Sequence, residues 1–170
     1  GSCVSISTPP ASTTYGDANF ILTATKSASV PDGGTWNWTS SDDTVLKIVD
    51  GADSATATVQ VLKASATGAT LAVTYTSSTH YGSSSATITV AQKEVTVSGI
   101  TAANKEYDGG TSATVNASGA TITGKVDGDD LTVSVAAGST FDSAGAGSRT
   151  VTLGTLTLGR TRAGNYTPAT

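Results

Sequence analysis

The chain has 170 residues, of which 73 are Gly, Ser or Thr, and only 13% of its residues are charged. The single Cys excludes an internal disulfide, and one Cys with one His excludes metal sites built from Cys pairs or several His. The net charge of −4 argues against nucleic-acid binding, and no apolar run approaches the roughly 20 residues that a membrane helix needs.

Alternation of apolar and polar residues with a period of two dominates the chain. Such alternation predicts half-buried β-strands, and Val and Thr favour the pleated surface because they are branched at Cβ. The predicted strands, in chain order, cover residues 20–25, 57–62, 71–76, 86–90, 131–135 and 151–153.

Turn residues separate these predicted strands. Gly and Asp favour tight turns because Gly tolerates positive φ and Asp bonds to its own backbone. The predicted turns cover residues 31–34, 50–51, 108–110 and 127–129. No window of 11 or more residues has the three-and-four spacing of an amphipathic helix. The pattern therefore predicts an antiparallel all-β protein of the sandwich or small-barrel type. We interpret it as two small antiparallel β-sandwich domains, arranged end to end.

A domain boundary is predicted near residue 92. The strand that ends at Ala91 is followed by a short polar segment, and a new alternation starts over residues 94–97. We expect a first domain over residues 1–92 and a second over residues 93–170, each large enough for one small sandwich. Gly1 and Ser2 are interpreted as an expression-tag remnant outside the first fold.

One stretch of the first half combines two tryptophans, a Thr-Ser-Ser turn and a following aliphatic strand. Alternating ladders follow this stretch in order, and a Thr-Tyr-Gly-Asp segment precedes it. The segments concerned are residues 14–17, 34–49, 55–61, 68–75 and 86–90. On these residues the first half resembles a bacterial immunoglobulin-like (Ig-like) domain of group 2, which implies an Ig-like sandwich.

Separated motifs of the second half also occur in a recognisable order. They are residues 97–102, the Lys-Glu-Tyr-Asp-Gly-Gly-Thr run at 105–111, residues 128–131, Phe141, Gly147, and the Gly-Asn-Tyr-Thr run at 164–167. On these motifs the second half resembles the YDG domain of repetitive bacterial surface proteins. In that family the chain usually continues past the Asn-Tyr pair into a closing strand. The last strand of this domain is therefore expected to lie beyond Thr170, which would leave an unpaired edge.

Both resemblances imply the same role. Domains of these families are repeated, non-catalytic modules of large secreted or wall-attached proteins, where they serve as stalks or adhesive arms. We therefore expect a structural or adhesive module, not an enzyme, located at the bacterial cell surface or secreted. The expected partners are neighbouring repeats of the same chain and a host or matrix protein or glycan. No catalytic residue, cofactor or metal ligand is predicted.

An alternative function rests on Trp36 and Trp38. Residues two apart on a strand face the same side, and two exposed aromatic faces would form a platform for sugars. This alternative is a carbohydrate-binding module, to which Tyr75 and Tyr81 could add. The competing interpretation, which the Ig-like resemblance implies for Trp38, is packing between the two sheets.

Asp127, Asp129 and Asp130 surround one predicted turn. Calcium takes about six to eight oxygen ligands, and this segment lacks the long loop and final Glu of an EF-hand. Asp residues also form turns through bonds to their own backbone. Turn formation is the favoured interpretation, and calcium binding is the alternative.

Three further residues have both a chemical and a structural interpretation. Cys3 is either a lipidated or attachment thiol or an incidental one. Lys47 suits a Lys–Asn isopeptide cross-link if it faces a core, although alternation equally allows an outward position. His80 stands alone in a predicted loop, without the nucleophile elbow and carboxylate of a hydrolase triad. The structural interpretation is favoured for all three.

Overall fold

The computed structural model describes residues 3–169, and the chain divides into two units, residues 1–92 and 93–170. The fold is all-β, as the sequence predicts, with no α-helix among the described residues. No helix in this part of the chain has the length and hydrophobicity needed to cross a bilayer. The interpretation of Gly1 and Ser2 as a tag remnant lies outside the described residues.

Eight strands in two sheets build the first unit over its described residues, 3–92. They are β1 (Val4–Ile6), β2 (Ser12–Thr14), β3 (Phe20–Lys26), β4 (Thr35–Ser40), β5 (Leu46–Asp50), β6 (Thr56–Val61), β7 (Ser65–Thr76) and β8 (Tyr81–Ala91). One sheet has the strand order β1-β3-β6-β5 and the other β2-β8-β7-β4. Two four-stranded sheets with one buried face each form a β-sandwich.

Alternate side chains of these strands form the core of the first unit. Leu22 and Ala24 of β3 are buried on one sheet, and Leu71 and Val73 of β7 are buried on the other. Full burial of one such aliphatic side chain contributes roughly 1.5–3 kcal/mol. The strands predicted at residues 20–25, 57–62, 71–76 and 86–90 are confirmed, because a two-residue period is strong where one face meets a core.

Nine short strands and one 3-10 turn build the part of the second unit that the structure describes, residues 93–169. The strands are β9 (Lys93–Ser98), β10 (Thr101–Ala102), β11 (Val115–Asn116), β12 (Thr121–Thr123), β13 (Thr132–Val135), β14 (Thr140–Phe141), β15 (Val151–Thr152), β16 (Leu156–Gly159) and β17 (Tyr166–Ala169), with the 3-10 turn at Ala163–Asn165. One sheet has three strands, in the order β12-β9-β17. The pairs β10-β11, β13-β16 and β14-β15 form two-stranded sheets.

The core of the second unit is small. Among the described residues, sixteen hydrophobic side chains are buried in the first unit, whereas four are buried in the second. Those four are Val95, Val97, Leu131 and Tyr166. Each of them therefore accounts for a large share of the apolar burial that stabilises this unit.

Two strand pairs differ from the antiparallel arrangement that the alternation predicts. β2 pairs with β8, and β9 pairs with β17, in parallel. Alternation reports which face of a strand is buried, but it does not report the direction of its neighbour. The residues after the Asn-Tyr pair thus form a strand at a sheet edge. The expectation of one more strand beyond Thr170 stays a prediction.

Candidate functional site

The two tryptophans share one face of β4, as their spacing predicts, but they lie at different depths. Trp38 is 3% exposed, and its indole N–H donates to the carbonyl oxygen of Ser54 at 2.7 Å. Trp36 is half-buried, and its ring centroid lies 4.8 Å from that of the buried Tyr75. The prediction that Trp38 packs in the core is confirmed.

This packing corrects the alternative of an aromatic platform. A platform at Trp36 and Trp38 needs both ring faces at the surface, whereas Trp38 points into the sandwich. Tyr75 is also buried, and its hydroxyl donates to the Pro31 carbonyl and accepts from the Gly34 N–H. Of the four aromatic residues considered, only Tyr81 is largely exposed. A sugar platform made of these rings is therefore not formed.

The turn that carries Asp127, Asp129 and Asp130 is bonded to the segment that leads into the Asn165-Tyr166 pair. The Tyr166 hydroxyl donates to Asp129 Oδ2 at 2.5 Å and accepts from the Val126 N–H at 2.9 Å. Arg162 Nε lies 4.0 Å from Asp129 Oδ1, and Arg160 Nε lies 3.6 Å from Asp130 Oδ2. Residues 160–166 thus hold the loop over residues 126–130 in place, although the two segments are distant in sequence.

These contacts favour turn formation over calcium binding. Asp129 and Asp130 face arginine side chains, whereas a calcium site would need their oxygens to converge with those of Asp127. Among residues 3–169, no group of three or more His, Cys, Asp or Glu side chains is arranged to hold a metal ion.

The structure also places the three residues that were considered singly, Cys3, Lys47 and His80. Cys3 is partly exposed, and its Sγ lies 3.7 Å from the carbonyl oxygen of Tyr81. Lys47 is exposed on β5, so the buried cross-linking position considered for it is wrong. His80 is exposed, and its hydrogen bonds go to Thr79 and Ser77 in the same turn. A catalytic His would instead bond to a nucleophile and a carboxylate.

The Lys-Glu-Tyr-Asp-Gly-Gly run forms a turn closed by its own side chains. Lys105 Nζ donates to both carboxylate oxygens of Asp108, at 3.1 and 3.2 Å, and to the carbonyl oxygen of Gly110 at 3.2 Å. The Gly110 N–H donates to Asp108 Oδ1 at 2.9 Å. Lys105 Nζ also lies 5.5 Å from the ring centroid of Phe141. We call residues 105–110 the motif turn.

These bonds predict an acid-sensitive motif turn. The Gly110 N–H, and after it Lys105, hold the pKa of Asp108 below its usual value of 3.8. Because the folded state has the lower pKa, the stabilisation by this carboxylate is complete above pH about 3.8 and is lost as the pH falls through the lowered pKa. Carbon-13 NMR titration of the Asp108 carboxyl should measure this lowered pKa.

The variant Lys105→Met separates the two causes of that shift. It removes the cation but leaves the Gly110 N–H, so the pKa of Asp108 should rise toward 3.8 without reaching it. An unchanged pKa in Lys105→Met would contradict the assigned role of Lys105.

A surface cleft of about 450 Å³ lies beside the motif turn. One wall consists of residues 104–107 with Gly110, and the other is the loop over residues 143–149. Phe141 also lines the cleft, and its backbone N–H donates to the Thr111 carbonyl at 2.7 Å, which ties the two walls together. The volume lies within the range of small-molecule sites.

Two residues of this cleft stand out chemically. Tyr107 is 74% exposed, the largest value among the exposed large hydrophobic side chains. Arg149 donates from Nε to the Gly145 carbonyl at 2.9 Å and from Nη2 to the Ala146 carbonyl at 3.1 Å. Sequence reasoning treated Tyr107 only as part of a motif and did not single out Arg149. The one signal for Arg149 is a lone cation after a run of Gly, Ala and Ser.

Comparison with known protein families assigns the second unit. Residues 91–170 match the YDG domain, so the resemblance on the motif turn and the Asn-Tyr pair is confirmed. An Ig-like group 2 domain is not shown for the first unit. Neither a search of curated proteins nor a search of solved structures finds a match to the chain.

Proposed function

Taking residues 91–170 as a YDG domain, we propose that the chain is a non-catalytic structural and adhesive module of a bacterial cell-surface or secreted protein. Its role is that of an extended, load-bearing spacer. Its partners are neighbouring repeats of the same chain and a host or matrix protein or glycan. The resemblance of both halves to repeated surface modules supports this proposal.

The first unit is proposed to be an Ig-like domain of group 2. Its sandwich of two four-stranded sheets agrees with that assignment. So does Trp38, which is buried on β4 where the resemblance expects a core residue. One fold can serve many functions, so this assignment agrees with the proposed role but is not the main argument for it.

The parallel strand pairs are the observation that carries a load-bearing role. In the second unit β9 and β17 are the first and last strands, and Tyr166 lies opposite Lys93 while Ala169 lies opposite Thr96. In a parallel pair the chain enters at one end of the pair and leaves at the other. Tension between the ends of the unit therefore shears the pair and loads its hydrogen bonds together.

The first unit contains a similar pair within one of its sheets, although β1 of the other sheet precedes this pair in the chain. β2, the first strand of its sheet in the chain, pairs in parallel with β8, the last strand, with Ser12 opposite Thr89 and Thr14 opposite Ala91. An antiparallel pair of terminal strands would instead open one bond after another, like a zipper. A spacer under tension benefits from shear because forced unfolding depends on the barrier to unfolding.

Single-molecule force measurements test this proposal on the second unit. In the full chain with Cys3→Ser, force is applied through cysteines placed either at residues 93 and 169 or at 93 and 161. Residues 93 and 169 lie at opposite ends of the β9–β17 pair and load it in shear, whereas 161 precedes β17 and loads it as a zipper. We expect a clearly higher unfolding force for the first pair of attachment points.

Thr161 is exposed, so a cysteine there is expected to change the free energy of unfolding by no more than about 0.5 kcal/mol. Equal unfolding forces for the two attachment geometries would contradict the load-bearing role.

Small-angle scattering gives a second test, because a spacer requires an elongated particle. Antibody labelling of intact bacteria that express the parent protein tests the surface location.

A further inference from the structure

The cleft beside the motif turn has properties that a spacer does not need. The ring of Tyr107 lines it while remaining 74% exposed, so burial in the core does not explain this aromatic residue. Exposed aromatic residues in concave sites are typical of binding surfaces. Tyrosine is well suited to this, because it offers a rigid ring face at a low cost in conformational entropy.

The backbone that carries Tyr107 is fixed. The bonds of Lys105 and Gly110 to Asp108 close the turn directly around it. The network thus uses the residues on both sides of Tyr107 and leaves the ring at the surface. A ring held on a closed turn loses little freedom when a ligand contacts it, which favours binding.

Arg149 supplies a cation on the opposite wall. Its Nε and Nη2 bonds to loop carbonyls orient the guanidinium in the cleft. No carboxylate of residues 3–169 lies within ion-pair distance of Arg149. Lys105, the other cation of the cleft, is already paired with Asp108. Arg149 is therefore the group of the cleft most suited to an anionic part of a ligand.

We propose that this cleft binds a saccharide that carries a carboxylate. The Tyr107 ring stacks on the apolar C–H face of a sugar ring, and Arg149 pairs with the carboxylate. Glu106, which is exposed and also lines the cleft, accepts hydrogen bonds from sugar hydroxyls. Ser143 and Ser148 on the loop add further hydroxyl partners.

The combination of groups favours an acidic sugar over an acidic peptide. The side chains of an acidic peptide offer Glu106 few hydrogen-bond donors, whereas each sugar ring offers several hydroxyls. A neutral sugar would satisfy Tyr107 and Glu106 but would leave Arg149 without a charged partner. The inference does not depend on the spacer role, because the cleft belongs to the second unit alone.

NMR titration of the full chain tests this inference with three probes. These are a tetrasaccharide of galacturonic acid, the same tetrasaccharide with its carboxyl groups reduced to alcohols, and an acetylated tetraglutamate peptide. We expect the acidic tetrasaccharide to change the NMR chemical shifts of the cleft residues and of no others. Binding of the reduced form should be weaker by about tenfold or more, because it lacks the charge-assisted bond to Arg149.

Substitutions locate the binding site. Tyr107→Ala and Arg149→Gln should each weaken binding of the acidic tetrasaccharide by about tenfold or more. The matched controls lie in the first unit: Tyr81→Ala removes a similarly exposed ring, and Lys47→Gln removes an exposed positive charge. Both controls should bind as the parent does. Unchanged shifts of Val95 and Leu131 in the cleft variants show that the second unit remains folded.

Several results would overturn the inference. One is no binding of the acidic tetrasaccharide at millimolar concentration, and another is equal binding of its reduced form. Binding that survives both Tyr107→Ala and Arg149→Gln would place the ligand elsewhere. Stronger binding of the tetraglutamate peptide than of the tetrasaccharide would assign the cleft to a different class of ligand.

Discussion

The variant Trp38→Ala should lower the free energy of unfolding of the first unit by about 3–5 kcal/mol. Its indole is 3% exposed between the two sheets, so the truncation leaves a cavity in the core. It also removes the donor to the Ser54 carbonyl. Domains of this size are stable by about 5–15 kcal/mol, so the loss is a large fraction of the total.

Chemical denaturation followed by far-ultraviolet circular dichroism measures this loss. Trp38→Phe keeps one six-membered aromatic ring but loses the pyrrole part of the indole with its N–H donor, so it should cost about 1–3 kcal/mol, less than Trp38→Ala. Tyr81→Ala removes a ring that is 67% exposed and should stay within about 0.5 kcal/mol of the parent. A Trp38→Ala variant as stable as Tyr81→Ala would contradict the observed packing.

The variant Tyr166→Ala should unfold the second unit or bring it close to unfolding. Tyr166 is one of only four buried hydrophobic residues in the described part of that unit, and truncation of a buried aromatic residue costs about 3–5 kcal/mol. Its hydroxyl also holds the loop around Asp129 and the Val126 N–H. Packing and hydrogen bonding are therefore lost together.

Spectroscopy can separate the two units in this experiment. Both tryptophans lie in the first unit, so tryptophan fluorescence reports that unit alone, while NMR shifts of Val97 and Leu131 report the second. We expect the fluorescence to be unchanged and the dispersed shifts of the second unit to be lost.

Two further tyrosine variants complete this comparison. Tyr166→Phe keeps the ring and should cost about 1–3 kcal/mol through the lost hydrogen bonds. Tyr107→Ala, at a ring that is 74% exposed, should leave the unit folded. If Tyr166→Ala were no less stable than Tyr107→Ala, the buried Tyr166 would not stabilise the core of the second unit.

Long strands with a buried face were predictable from alternation, whereas of the two-residue strands only β15, which lies within the predicted residues 151–153, was predicted. β3 alternates over its seven residues and β7 over residues 69–76, which gives the two-residue period enough repeats to be read. β10, β11 and β14 have two residues each, and no period can be read from two residues. Of these three strands only β14 contributes to the lining of the candidate cleft, through Phe141.

The sequence by itself determined that the protein is all-β and that the second half carries YDG motifs. These properties depend on local alternation, turn residues and residue order, all of which can be read along one chain. Only the tertiary structure decided that β2 pairs with β8, and β9 with β17, in parallel. It alone also placed Tyr107 and Arg149 in the lining of one cleft. The physical reason is that both join segments distant in sequence, and neither strand direction nor proximity leaves a periodic signal in the residues themselves.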